Sequence, residues 1–222
     1  MITTTQLRPT TSLPPPRTGG PARVLLVVEG VNDIEFLTRI SRLLHAHDRA
    51  LPDLAEREQR GEVVFVPFGG QIAAWTHRLG PLGKPEFFLC DRELPLETEQ
   101  RREAAAAINR RPRCRAVLTR KRSLENYLHP TAILAAGAIN VEFGDFDSVA
   151  EITAQRRYQP ELDGKPWELL TRRAHGRLVY RAKRWLNTRA ADHMTVEMLG
   201  ERDPVGEIIS WLKTIDRLAG SC

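Results

Sequence analysis

A chain of 222 residues with 41% hydrophobic and 27% charged residues has the composition of an ordinary globular protein. No apolar run approaches the ~20 residues that a membrane-spanning helix needs. The net charge of +5 favours an anionic partner, most commonly nucleic acid. Cys90, Cys114 and Cys222 show no zinc-binding spacing and are odd in number, which favours a reducing, cytoplasmic compartment over a disulfide framework.

Residues 1–21 hold five prolines and many threonines but few large apolar side chains, so this segment is expected to be a disordered tail. Its lack of acids is shared with organellar transit peptides, but its prolines would break the amphipathic helix such a peptide needs. Strand and helix signals then alternate. RVLLVV (23–28) is a strand, and residues 32–47 form a helix with Phe36, Leu37, Ile40, Leu43 and Leu44 at spacings of three and four. EVVFVPF (62–68) is a second strand, followed by Gly69-Gly70 and a helix over 71–79. PEFFLCD (85–91) is a third strand, residues 96–111 an alanine-rich helix, and CRAVLT (114–119) a fourth strand. Short apolar strands alternating with helices predict an α/β fold, with a four-stranded, mostly parallel, Rossmann-like sheet covered on both faces.

Residues 131–222 carry no further strong strand signal and read as helices around 131–139, 147–157, 166–174, 176–189 and 204–218. This places a domain boundary near residue 130, between a sheet domain (22–130) and a C-terminal helical appendage. The nucleotide-binding pattern G-x-x-x-x-G-K-[ST] does not occur in these 222 residues.

In parallel sheets a ligand site lies beyond the carboxyl ends of the strands, and acids gather there. Glu29 ends the first strand, with Asp33 four residues on. Asp91 and Glu93 follow the third strand; in an extended chain positions i and i+2 face together, which turns Arg92 away. Glu125 follows the fourth strand. A single strand-end acid is usually a solvated charge, but acids after three strands of one sheet would repel unless a cation joined them. Oxygen donors suit Mg²⁺ or Mn²⁺, and two such ions ~4 Å apart can clamp both the attacking and the leaving oxygen of a phosphodiester.

VLLVVEGVND followed by FFLCDRE resembles the toprim domain of topoisomerases, bacterial primases and a group of nucleases. Its third-strand motif departs from D-x-D by ending in a glutamate. RSLENYLHP sharpens the resemblance toward the toprim of overcoming-lysogenization-defect (OLD) family nucleases and of stand-alone anti-phage toprim effectors. The resemblance covers about residues 22–130. It implies a toprim fold and a metal-dependent endonuclease in which Glu29, Asp33, Asp91, Glu93 and Glu125 hold two Mg²⁺ or Mn²⁺ ions, with Glu29, Asp91 and Glu93 also catalytic. Those nucleases place a lysine beside the scissile phosphate. GKPWEL resembles the stretch that supplies it, which selects Lys165, with Lys121 as the alternative. OLD nucleases also carry an ATPase, so the resemblance implies a partner ATPase supplied in trans or a nuclease that acts alone; a homo-oligomer is left open.

Two basic clusters could bind nucleic acid. Lys121 and Arg122 follow the fourth strand; Arg177, Arg181 and Arg184 lie in a helical stretch with Tyr180 and Trp185, both read as core residues before stacking platforms. The rival reading is a non-catalytic toprim module for binding or assembly in DNA repair or recombination. A third, a primase-like or topoisomerase-like fragment, lacks a convincing nucleophilic tyrosine.

Overall fold

Two strands are buried along their whole length: β1 (Val24–Val28) and, later in the chain, β3 (Glu86–Cys90). Their alternate side chains feed two separate cores. Val24, Leu26, Val28, Phe87 and Leu89 face one, while Leu25, Val27, Phe88 and Cys90 face the other. Both strands must therefore be central, and the sheet order is β2-β1-β3-β4, with β2 at Val63–Pro67, β4 at Cys114–Leu118 and every pairing parallel. The computed structural model describes residues 22–159 and 165–220; the tail 1–21 and the stretch 160–164 lie outside the described residues, as does Cys222.

Helices cover both faces. α1 (Val31–His47) and the short α2 (Leu54–Gln59) pack on the first core, and α3 (Pro95–Asn109) on the second. One charge is buried within the sheet: Glu86, at the start of β3, takes a bidentate ion pair from Arg111 at 2.5 and 2.9 Å. That pairing satisfies a charge that would otherwise be prohibitive to bury.

Among the described residues, five further α-helices follow the sheet: α4 (Pro130–Gly137), α5 (Val149–Arg157), α6 (Arg172–Trp185), α7 (Val196–Arg202) and α8 (Glu207–Gly220). They pack on the sheet. Ala132, Ile133, Leu186, Ile208, Trp211, Leu212 and Ile215 share one buried cluster with the odd-numbered face of β3 and with α1. The boundary expected near residue 130 falls inside this core. Trp211 meets Tyr127 edge-on at 5.7 Å, and the Tyr127 hydroxyl donates to Glu207.

The differences from expectation have local causes. The helix expected over 71–79 is replaced by 3₁₀ turns at Ile72–Trp75 and Gly80–Leu82. Gly69 and Gly70 precede them with φ of +52° and +77°, a left-handed turn that ends the path of β2. The helix expected over 166–174 is a 3₁₀ turn at Trp167–Leu169, and α6 starts afresh where the Thr171 hydroxyl accepts the Ala174 N–H. α2 and α7 are too short for periodicity to show, and their signals are the caps Asp53 and Thr195.

Candidate metal centre

The turn that ends β1 explains its two carboxylates. Gly30 caps α1, and its N–H donates to Asp33 Oδ2 at 2.8 Å, so Asp33 folds back over the first turn. One oxygen of Asp33 is thus a helix-cap acceptor. The other, Oδ1, is buried and accepts no hydrogen bond, and it stands 3.7 Å from Lys183 Nζ. The structural and chemical readings of this residue hold together, one oxygen each.

Asp91 follows β3 and is 3% exposed. Its Oδ1 accepts the Leu124 N–H at 3.1 Å, and its Oδ2 lies 3.5 Å from Lys183 Nζ. Glu29 Oε1 accepts the Asp91 N–H at 3.1 Å, which ties the ends of β1 and β3 together. Glu93 does not continue the extended chain. Its φ is +56°, a left-handed conformation unusual for a side chain of this size, held by its N–H donating to the Arg122 carbonyl at 3.0 Å. The alternation expected for Asp91 and Glu93 is therefore not what joins them. The turn itself brings Glu93 back, and ligand oxygens of Glu29, Asp91 and Glu93 all lie within 4.8 Å of one another.

Glu125 is delivered by a 3₁₀ turn, Leu124–Tyr127, whose other residues are structural. Asn126, fully buried, donates to the carbonyls of Gly144 and Asp147 at 2.9 and 3.1 Å, and Leu124 and Tyr127 enter the core. That leaves the Glu125 carboxylate, which accepts from Asn187 Nδ2 at 2.5 Å and lies 3.6 Å from Lys183 Nζ. Asn187 sits in a single π-helical turn, Leu186–Ala190, that extends α6; such turns often serve functional sites.

The five acids thus form two adjoining groups that share Asp91. Glu29, Asp91 and Glu93 make one, and Asp33, Asp91 and Glu125 surround Lys183 as the other. Arg101 of α3 donates to Glu29 and, at 2.7 Å, to the Asp91 carbonyl. Burial pushes the Asp33 carboxyl up to about 6, helped by Glu125 and Glu29 and opposed by Lys183. Burial raises Asp91 well above the carboxylate range and lifts Glu93 as well. Burial works to lower the Lys183 pKa, but Glu125, Asp91, Asp33 and Glu29 outweigh it and hold the ammonium charged.

The donors fit a hard divalent cation: all are carboxylate oxygens, and one buried oxygen has no hydrogen-bond partner.

The lysine at the acids is Lys183, not Lys165. Lys165 is exposed, and its carbonyl accepts the Tyr158 hydroxyl at 2.5 Å; α6, which follows, carries Lys183 to the acids. Lys121, expected as the alternative lysine and as a nucleic-acid contact, is engaged by an acid outside the five. It is 8% exposed, ion-paired with Asp145 and 5.6 Å from the Tyr127 ring centroid. Arg122 is drawn inward, its Nε 3.5 Å from Glu93. Arg177, Arg181 and Arg184 are exposed on α6, the helix that carries Lys183. Arg181 and Arg184 line a surface cavity of about 570 Å³ together with Arg39 and Arg189.

No family model and no curated protein matches the chain. Among solved structures it is similar to the C-terminal region of the OLD protein of Xanthomonas campestris pv. campestris, with a TM-score of 0.50 and 16% identity over 90% of this chain and 97% of that one. At that identity the likeness is one of fold: a four-stranded parallel α/β sheet with flanking helices.

Proposed function

We propose that the protein is a divalent-metal-dependent nuclease that hydrolyses phosphodiester bonds of DNA or RNA. The observation that carries this reading is the site at the carboxyl ends of β1 and β3. Five acids converge there, a charged lysine enters from α6, and Asp33 Oδ1 is buried without a hydrogen bond. A module that only bound nucleic acid would gain nothing from such concentrated negative charge beside a phosphate backbone. Two Mg²⁺ or Mn²⁺ ions would be held by Glu29, Asp91 and Glu93 and by Asp33, Asp91 and Glu125, and when bound would polarise the phosphodiester and activate water.

The chain's own groups supply the rest. Lys183 offers a positive charge where negative charge gathers on the scissile group, in place of the lysine expected at position 165. Asn187 fixes the Glu125 carboxylate from behind. The exposed arginines of α6 hold the nucleic-acid backbone as it crosses toward Lys183. The OLD-like fold supports a role as the effector of an anti-phage system in the cytoplasm, paired with an ATPase supplied in trans.

The test is cleavage of plasmid DNA and of total RNA with Mg²⁺, Mn²⁺ or EDTA, for the wild type and Asp91→Asn. We expect metal-dependent cutting that EDTA stops and that Asp91→Asn loses by at least ~100-fold, since Asp91 belongs to both groups. Cutting that persists in EDTA would contradict the reading.

A further inference from the structure

Of the cations that touch the acids, Lys183 and Arg101 differ in how they are held. Lys183 faces three carboxylates at 3.5–3.7 Å. Arg101 grips the Glu29 carboxylate and the Asp91 carbonyl, so its guanidinium lies against the set Glu29, Asp91 and Glu93 that would hold one cation. It also has somewhere else to go. Glu97, one helical turn earlier on α3, places Oε2 3.9 Å from Arg101 Nη2, and its side chain is 65% exposed. Beside them opens a cavity of about 290 Å³ lined by Phe68, Gly70, Gln71, Glu97, Gln100 and Arg101.

Charge balance gives this second partner a purpose. At full ionisation five carboxylates face three cations, Lys183, Arg101 and Arg122. Two divalent ions would then overshoot neutrality by two charges, and the withdrawal of one of these side chains would halve that excess. Lys183 is enclosed by acids on three sides, whereas Arg101 and Arg122 each pair with one carboxylate of the other group. Arg101 alone of the two has a neighbouring acid on its own helix and open volume beside it.

Resting on the metal-centre reading above, we infer that Arg101 is a placeholder cation. It neutralises Glu29 in the metal-free protein and swings to Glu97 and the adjoining cavity when a divalent ion arrives. Metal affinity is then set by competition with a side chain of the protein itself, and the acids stay folded together before metal binds. Arg101 is in this sense a positioning residue whose first effect is on metal binding.

Calorimetric titration of the full chain with MnCl₂, alongside metal-free thermal melts, tests this with wild type, Arg101→Gln and Glu97→Gln. Arg101→Gln is expected to tighten Mn²⁺ binding about tenfold or more, because Glu29 is freed, while lowering the metal-free melting temperature. Glu97→Gln is expected to weaken Mn²⁺ binding several-fold and to leave the metal-free melt unchanged, since a long, exposed pair adds little stability. A merely structural Arg101 would lose metal affinity on substitution. Equal or weaker Mn²⁺ binding by Arg101→Gln overturns the inference while leaving the metal centre standing. Wild-type affinity in Glu97→Gln overturns the withdrawal to Glu97. A wild type that binds no Mn²⁺ overturns the metal centre and the inference together.

Discussion

Asp33 carries opposed duties on its two oxygens, and this sets its response to pH. Burial is the main reason its carboxyl titrates near 6 rather than 3.8. A folded pKa raised above the unfolded one contributes stability below the unfolded value, and that contribution is lost as pH rises through the folded value. Between about pH 4 and 6, therefore, the metal-free protein gives up stability at this residue, and above that it carries the full cost of an ionised buried acid. Asp33→Asn keeps an oxygen to accept the Gly30 N–H and removes the charge. The metal-free variant should melt above wild type at pH 8, by on the order of 2 kcal/mol, with the difference vanishing near pH 4. Mn²⁺ should stabilise wild type more at pH 8 than at pH 5, and the variant little at either. Thermal melts at the three pH values decide it; a variant less stable than wild type at pH 8 would make Asp33 a helix cap and nothing more.

At the scale of elements, the strands and the acids at their ends were legible because both rest on short-range rules. Apolar runs of five residues bounded by glycine or a charge give parallel strands, and a carboxylate after such a strand lies at the ligand edge. The lysine beside the acids was not legible in the same way. Lys183 of α6 and Asn187 of the π-helical turn that extends it are spaced by four, beside the buried Ala182 and Leu186, so a polar pair on a core-facing stripe was the available signal. It was masked by the arginines around it, and the pairing with acids from about 60 to 150 residues earlier in the chain is purely tertiary. What the C-terminal helices pack against was not legible for a related reason: composition marks the helices but not their neighbours. Because Trp211 of α8 lies in the same core as β1 and β3, Trp211→Ala should cost about 3–5 kcal/mol and lower the melting point of the entire chain by roughly 10 °C in one transition. Two separate transitions in circular dichroism, with only one of them moved, would restore an independent C-terminal domain.

For the whole molecule, one sheet edge collects what the chain spreads over 160 residues: acids from the ends of β1 and β3, another from the turn after β4, and a lysine from a helix beyond them. No helix among the described residues is long and apolar enough to cross a membrane, and the positive charge concentrates on α6, beside the acids. The same helix thereby carries the exposed arginines and the half-buried Lys183, which under the proposed function couples holding a polyanion to presenting it at the acids. The central claim is that Lys183 serves this site. Its most direct test is the rate of Mn²⁺-dependent nucleic-acid cleavage by Lys183→Met and Lys165→Met beside wild type, each melted in Mn²⁺ to show that it is folded. The account predicts that Lys183→Met loses about 100-fold or more while Lys165→Met cuts as wild type does. Full activity in a folded Lys183→Met, or loss in Lys165→Met alone, would contradict it.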